Sequence, residues 1–252
     1  MASKKAFDLL IKNVRLVRPN AAMVEQGDIA ISDGRIARIA PDIETDSAKT
    51  FYDGKGQLAF PGLVDPHMHT GIYSPLAEDA LTESRAAAQG GVTSSLNYMR
   101  TGGYYLNKGG SYKKFFPEVQ EISAGRFYVD YAYHLAPMDK RHIREIPNLI
   151  NDFGVTSFKI FMFYGGHGLH GRSTNQHEFL MIGEDEKYDI AHFEFVMRGL
   201  RKAMDKYPDK ADSLSLGLHC ETAEIMSAYT KIVEEEGSLK GLEAYSAGRP
   251  PH

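Results

Sequence analysis

Pro61-Gly62-Leu63-Val64-Asp65-Pro66-His67-Met68-His69 is the stretch on which the reading of this chain turns. The apolar run Leu58 to Val64 predicts a short buried strand that ends in two histidines spaced i, i+2. Side chains alternate along a strand, so His67 and His69 point the same way. Two neutral imidazoles converging from one strand end can hold a transition metal such as zinc. A lone His-x-His arises often by chance. Its weight depends on whether later strands end in further ligands.

Downstream of this stretch the pattern is strand then helix, repeated. Helix Leu76 to Gln89 is closed by Gly90-Gly91, and strand Val92 to Met99 and helix Lys113 to Ser123 follow. Next come strand Phe127 to His134 and helix Lys140 to Phe153, then strand Ser157 to Tyr164 and helix Ile190 to Lys206. The last unit is strand Leu214 to His219 with helix Ala223 to Glu235. Five such units predict an α/β fold of parallel strands with right-handed crossovers. An open doubly wound sheet and part of a (β/α)8 barrel both fit, and in either one ligands gather at the carboxyl ends of the strands. His67, His69, Lys159, Tyr164 and His219 fall there.

Upstream, residues 6–57 read as short strands and turns. Phe7 to Asn13 and Val14 to Val17 are two apolar stretches with a polar break. Asp28-Ile29-Ala30-Ile31, the turn Ser32-Asp33-Gly34 and Arg35 to Ile39 predict a hairpin. This segment is too thin to be stable alone, so the expected division is residues 1–57 and residues 58–252.

The totals narrow the function class. With 42% hydrophobic and 25% charged residues, the 252-residue chain has the composition of a soluble globular protein. A net charge of −4 without a basic block argues against a nucleic-acid partner. Glu234-Glu235-Glu236 reads as the solvated end of a helix. Cys220 is the one cysteine, which excludes an intramolecular disulfide and suits a reducing compartment. No apolar h-region follows Met1-Ala2-Ser3-Lys4-Lys5 and no stretch has the length of a membrane span, so the expectation is a cytoplasmic protein without a membrane partner.

Lys159 lies within the apolar Phe158-Lys159-Ile160-Phe161-Met162-Phe163. Burying an ammonium there is costly unless it is paired or chemically changed. One reading is a lysine that snorkels to solvent or a carboxylate. The other is a lysine that has reacted with CO2 to a carbamate, an anion whose two oxygens can bridge two metal ions. Tyr164, at the mouth of the same strand, suits a donor to a developing oxyanion, and equally an interfacial tyrosine without a catalytic role. His219 closes the fifth strand and precedes Cys220-Glu221. It can be a core histidine or a ligand. Cys220 alternates to the opposite face and is not read as a nucleophile.

Gly62-Leu63-Val64-Asp65-Pro66-His67-Met68-His69, Ser157-Phe158-Lys159 with Tyr164, and His219-Cys220-Glu221 together resemble the metal motifs of the cyclic amidohydrolases. The dihydropyrimidinases and hydantoinases are the most similar group. The similarity runs on to Gly248-Arg249-Pro250-Pro251. It implies a (β/α)8 TIM-type barrel, here its first five βα units, with part of a small β-sandwich in residues 1–57. It also implies two divalent metals, usually zinc. In that scheme His67 and His69 bind the more buried metal, N6-carboxylated Lys159 bridges both, and His219 binds the second. Tyr164 would polarise the scissile carbonyl, and a metal-bridging hydroxide would attack an amide carbon of a cyclic amide or imide. His134 is taken as structural.

The family's fourth metal histidine and its catalytic aspartate are expected beyond residue 252, so the chain is expected to be one piece of a longer protein or to pair with a C-terminal piece. Thr70-Gly71-Ile72-Tyr73-Ser74 lacks the arginine that dihydroorotase-like members use for a carboxylate, which favours a neutral ring such as a dihydropyrimidine or hydantoin. The glycine- and tyrosine-rich Thr101 to Gly110 reads as a pocket wall or a surface loop, and Gly165 to Gly171 as a lid or surface loop. A homotetramer is a further implication of the resemblance. The alternatives are a non-catalytic dihydropyrimidinase-like scaffold, and an amidohydrolase acting on another C–N bond.

Overall fold

The computed structural model describes residues 5–162 and 190–250, with Ala223 described in its backbone only. Contacts divide the chain into two units, Met1–Leu63 and Val64–His252.

The first unit is a mixed five-stranded sheet built on β1 (Phe7–Leu16). β2 (Glu25–Ser32) pairs with it antiparallel, and β3 (Arg35–Ala40) pairs antiparallel with β2. β4 (Ala48–Asp53) and β5 (Leu58–Ala59) both run parallel to β1. The hairpin turn holds Asp33 at φ 51° and Gly34 at φ 72°, two successive left-handed residues that match the twist of the flanking strands. The polar break in the N-terminal segment is not a chain break between strands. It is a bulge within β1 between Ile11 and Val14, with Asn13 at φ 54°. Leu10, Ala30, Ile43 and Ala48 form the unit's small core.

The second unit begins differently from the sequence expectation. The predicted strand Leu58 to Val64 is two strands: β5 belongs to the first sheet, and β6 (Leu63–His69) carries both histidines within it. Hydrophobicity located the apolar run, but the hydrogen-bonded strand continues through Asp65, Pro66 and the histidines. The remaining elements lie close to their predicted bounds: α1 (Leu76–Gln89), β7 (Val92–Met99), α2 (Tyr112–Ser123), β8 (Asp130–Leu135) and α3 (Lys140–Phe153). After them come β9 (Ser157–Phe161), α4 (Ile190–Lys206), β10 (Ser215–His219), α5 (Ala223–Glu236) and α6 (Gly241–Ala247). Ser111 caps α2 by accepting from Lys113 N, and Asp139 caps α3 by accepting from Arg141 N and His142 N.

The strand order is β10-β9-β8-β7-β6, the order of the chain itself. β7–β8, β8–β9 and β9–β10 are parallel. A doubly wound sheet reverses its order at a switch point, and this sheet does not. Successive helices α1–α2, α2–α3 and α3–α4 touch one another, so they form one layer on one face. That is the winding of part of a (β/α) barrel. The core lies under this layer. Phe115, Phe116 and Val119 of α2, Ile146, Leu149 and Ile150 of α3, and Phe193, Val196 and Leu200 of α4 pack on Phe158 and Ile160. Those helix positions follow the i, i+3, i+4 stripe of amphipathic helices.

Candidate metal centre

β9 shows why the opposite face is the chemical one. Phe158 and Ile160 are fully buried beneath the helices, so Ser157, Lys159 and Phe161 face the other side. Parallel register places Gly217 beside Lys159, His219 beside Phe161, and His134 beside both Ser157 and Tyr98. The rings of His67, His69, Tyr98, Phe161 and His219 gather on that face.

His67 and His69 meet most closely. Their Nε2 atoms are 3.1 Å apart, with the rings edge-on at 88°. Two nitrogens on one tetrahedral zinc would lie roughly 3.3 Å apart, so the pair has a suitable bite. Burial drives the His67 imidazole down to about 4, helped by charge on His69, Lys159, His134 and His219. Burial and the charges of Lys159, His219 and His134 bring His69 to about 4 as well. Both rings are therefore neutral at physiological pH, with lone pairs available. His67 Nδ1 is buried and has no hydrogen-bond partner among the described residues. A satisfied core histidine does not look like this. His69 Nδ1, by contrast, meets Tyr105 Oη at 3.0 Å.

Lys159 Nζ lies 5.4 Å from the centre of the Phe161 ring. Burial holds its ammonium below the ordinary lysine range, partly offset by Cys220. A Cβ built on Gly217 would stand 2.9 Å from Lys159 Cδ and 3.7 Å from Nζ. The glycine thus leaves the lane that the lysine side chain occupies. His219 stacks on the other part of Phe161, with ring centres 5.0 Å apart, and its Nε2 meets Glu221 Oε2 at 2.6 Å. His67 and His69 are brought together directly, while Lys159 and His219 reach the same face around Phe161. Among the described residues, no three histidine, cysteine or carboxylate side chains converge on one point. The donors present, the two neutral imidazoles of His67 and His69, the imidazole of His219 across Phe161 and a desolvated amine, fit a borderline divalent cation such as zinc. Tyr164 and Gly165 to Gly171 lie outside the described residues.

His134 is excluded as a ligand. Its Nε2 donates to Pro66 O at 2.7 Å, which leaves Nδ1 to accept from Ser157 Oγ at 2.5 Å. Ser157 Oγ is in turn 3.0 Å from Ser215 Oγ. This chain of bonds runs from β10 through β9 and β8 to the carbonyl just before His67, and so pins the position of the His67–His69 pair. Sequence reading did not single out Pro66, Ser157, Tyr105 or Arg249 for these contacts. Pro66, Ser157 and Arg249 lie within the quoted motifs and Tyr105 within a loop read as a pocket wall or a surface loop, but none of these signals named a contact. In that loop Tyr104, Tyr105 and Asn107 have φ of 71°, 55° and 50°. Non-glycine residues hold such angles where surrounding structure enforces them. Gly102 N to Lys108 O at 2.7 Å closes the loop, which directs Tyr105 at His69.

No family model matches the chain. It is 32% identical over 160 residues to a D-hydantoinase of Geobacillus stearothermophilus, covering 62% of this chain and 32% of that protein. It is 28% identical over 253 residues to an allantoinase of Escherichia coli, covering 97% of this chain and 48% of that one. Among solved structures, the L-hydantoinase (dihydropyrimidinase) of Arthrobacter aurescens matches with a TM-score of 0.71 and 22% identity, over 97% of this chain and 47% of that chain. The chain therefore spans about a third to a half of the length of these relatives. No helix among the described residues is long and apolar enough to cross a membrane. The chain is thus similar in sequence to D-hydantoinases, dihydropyrimidinase and allantoinase, and similar in fold to a hydantoinase.

Proposed function

We propose that the chain carries part of the metal centre of a hydrolase that opens a C–N bond in a cyclic amide or imide, with a neutral ring of the dihydropyrimidine or hydantoin type as substrate. The observation that carries this reading is the convergence of the neutral His67 and His69 Nε2 atoms, 3.1 Å apart, on the face that also holds Lys159 and His219. His67 and His69 would hold one divalent ion, zinc by donor type, and His219 a second. Lys159 would join the two as its N6-carboxylate. Its depressed basicity supports this role, because only the neutral amine reacts with CO2. A pair of such ions supplies a water of lowered pKa and polarises a carbonyl.

The chain's own residues do the rest. His134 holds the strand segment before His67, Tyr105 holds His69 through Nδ1, and Gly217 gives Lys159 room to lie along β10. Tyr164, by its position after the fourth strand of the unit, would donate to the oxyanion that develops on the substrate carbonyl. The absence of a cation in Thr70 to Ser74 supports a neutral ring over a carboxylate-bearing one.

Metal analysis with intact-mass measurement tests the reading. Near-stoichiometric divalent metal together with a CO2 adduct on Lys159 is the expected outcome. Neither metal nor adduct would sink it and leave the non-catalytic scaffold.

A further inference from the structure

Two residues beyond β10, Glu221 binds in two directions. Its Oε2 meets His219 Nε2 at 2.6 Å, and its Oε1 accepts from Arg249 Nε at 3.0 Å. Arg249 comes from the turn after α6. Its guanidinium lies 3.8 Å over the Tyr245 ring and donates to Tyr245 O at 3.4 Å. The Arg249 side chain is 17% exposed, that of Glu221 35% and that of His219 41%, so only the arginine end is well shielded. The ring of His219 is held on its flat face by Phe161.

An ionised carboxylate can only accept, so the Glu221 contact requires a proton on His219 Nε2. In the neutral ring the lone pair is then on Nδ1. The geometry points to an Arg249–Glu221 latch that selects the Nε2–H tautomer of His219 and so decides which nitrogen a cation meets. Arg249 and Glu221 are positioning residues in this arrangement, acting through the ring. His69 is set in the opposite sense, with Nδ1 at Tyr105 and Nε2 toward the pair. The use of the latch for metal binding rests on the metal reading above, whereas the tautomer itself does not.

Nitrogen-15 NMR of the histidine-labelled full chain, stripped of metal and held at about pH 8, above the ordinary imidazole range, reads the tautomer directly. The wild type is expected to show an N–H-type shift at His219 Nε2 and a lone-pair-type shift at Nδ1. Glu221→Ala is expected to give a mixture of tautomers. Glu221→Gln, whose amide oxygen still accepts, should retain the wild-type pattern. Arg249→Gln should fall between them. Zinc titration of the same samples should show affinity reduced roughly 10–100-fold in Glu221→Ala and mostly restored in Glu221→Gln. Circular dichroism confirms that each variant is folded. A wild-type His219 protonated on Nδ1, or a tautomer unchanged in Glu221→Ala, overturns the latch. Wild-type protein with the expected tautomer but no zinc binding keeps the latch and removes the metal reading. Zinc binding with the wrong tautomer does the reverse.

Discussion

Asp28 in the first unit and His67 in the second are both titratable groups withdrawn from water, and their surroundings differ in kind. Asp28 is 2% exposed. Its Oδ1 accepts from Asn13 N at 2.9 Å, and its Oδ2 accepts from Ile43 N and from Lys12 Nζ, each at 2.9 Å. Lys12 also donates to Asp42 and to the Ile43 carbonyl. Burial pushes the Asp28 carboxyl up, but Lys12 and the two backbone N–H groups outweigh it and hold it below the usual range. At His67 the balance goes the other way, because burial dominates and Nδ1 has no partner among the described residues. A buried polar group whose every valence is answered by protein holds a fold together. His67 has no charged partner of that kind; its Nε2 faces His69 Nε2 at 3.1 Å.

That contrast can be attacked by mutation. His69→Ala or His67→Ala should abolish divalent-metal binding in a metal titration, with thermal stability unchanged or raised, since a desolvation cost is removed. A large loss of stability would place the pair with Asp28. Asp28→Ala should cost about 3 kcal/mol in denaturant unfolding, because Lys12 and two N–H groups lose their acceptor, and should leave metal binding intact.

Acid sensitivity should separate the two regions in the metal-free chain. The folded values of His67 and His69 are lowered from 6.5 to about 4, so above 6.5 both are neutral whether folded or unfolded, and the fold loses stability as pH falls from 6.5 toward 4, where only the unfolded chain takes up the protons. Asp28 is lowered from 3.8, so its contribution persists above 3.8 and is lost only below it. Hydrogen exchange followed from pH 7 downward should show β6 loosening before β1 and β2. The reverse order would defeat the comparison. The smallest effect expected is that of Gly217→Ala. Its Cβ would collide with Lys159 Cδ, so the CO2 adduct measured by intact mass should fall severalfold while stability changes by less than about 1 kcal/mol.

Much of the helical layer was legible in sequence. The observed bounds of α1, α3 and α4 are those expected from the sequence. Strand ends were less legible. β8 starts at Asp130, three residues after the start of the run Phe127 to His134, and β9 ends at Phe161, short of the expected Tyr164. Leu58 and Ala59 went to the wrong sheet because hydrophobicity reports burial and not partner. At the candidate site, residue type and strand-end position singled out His67, His69, Lys159 and His219. The groups that contact them or their strands, the Pro66 carbonyl, Ser157, Tyr105 and Arg249, were not legible as such, since their contacts reach residues 23 to 68 positions away.

The order of strands and helices, the common facing of His67 with His69, and the presence of an ionisable side chain in an apolar strand were determined along the chain, because periodicity is a local property. The choice between a doubly wound sheet and a barrel winding, the lane that Gly217 leaves for Lys159, and the partner of each imidazole nitrogen were decided only on folding. These depend on which strand lies beside which, and that is set by hydrogen-bond register and side-chain packing between segments as much as 68 residues apart, as in the bond from His134 to Pro66.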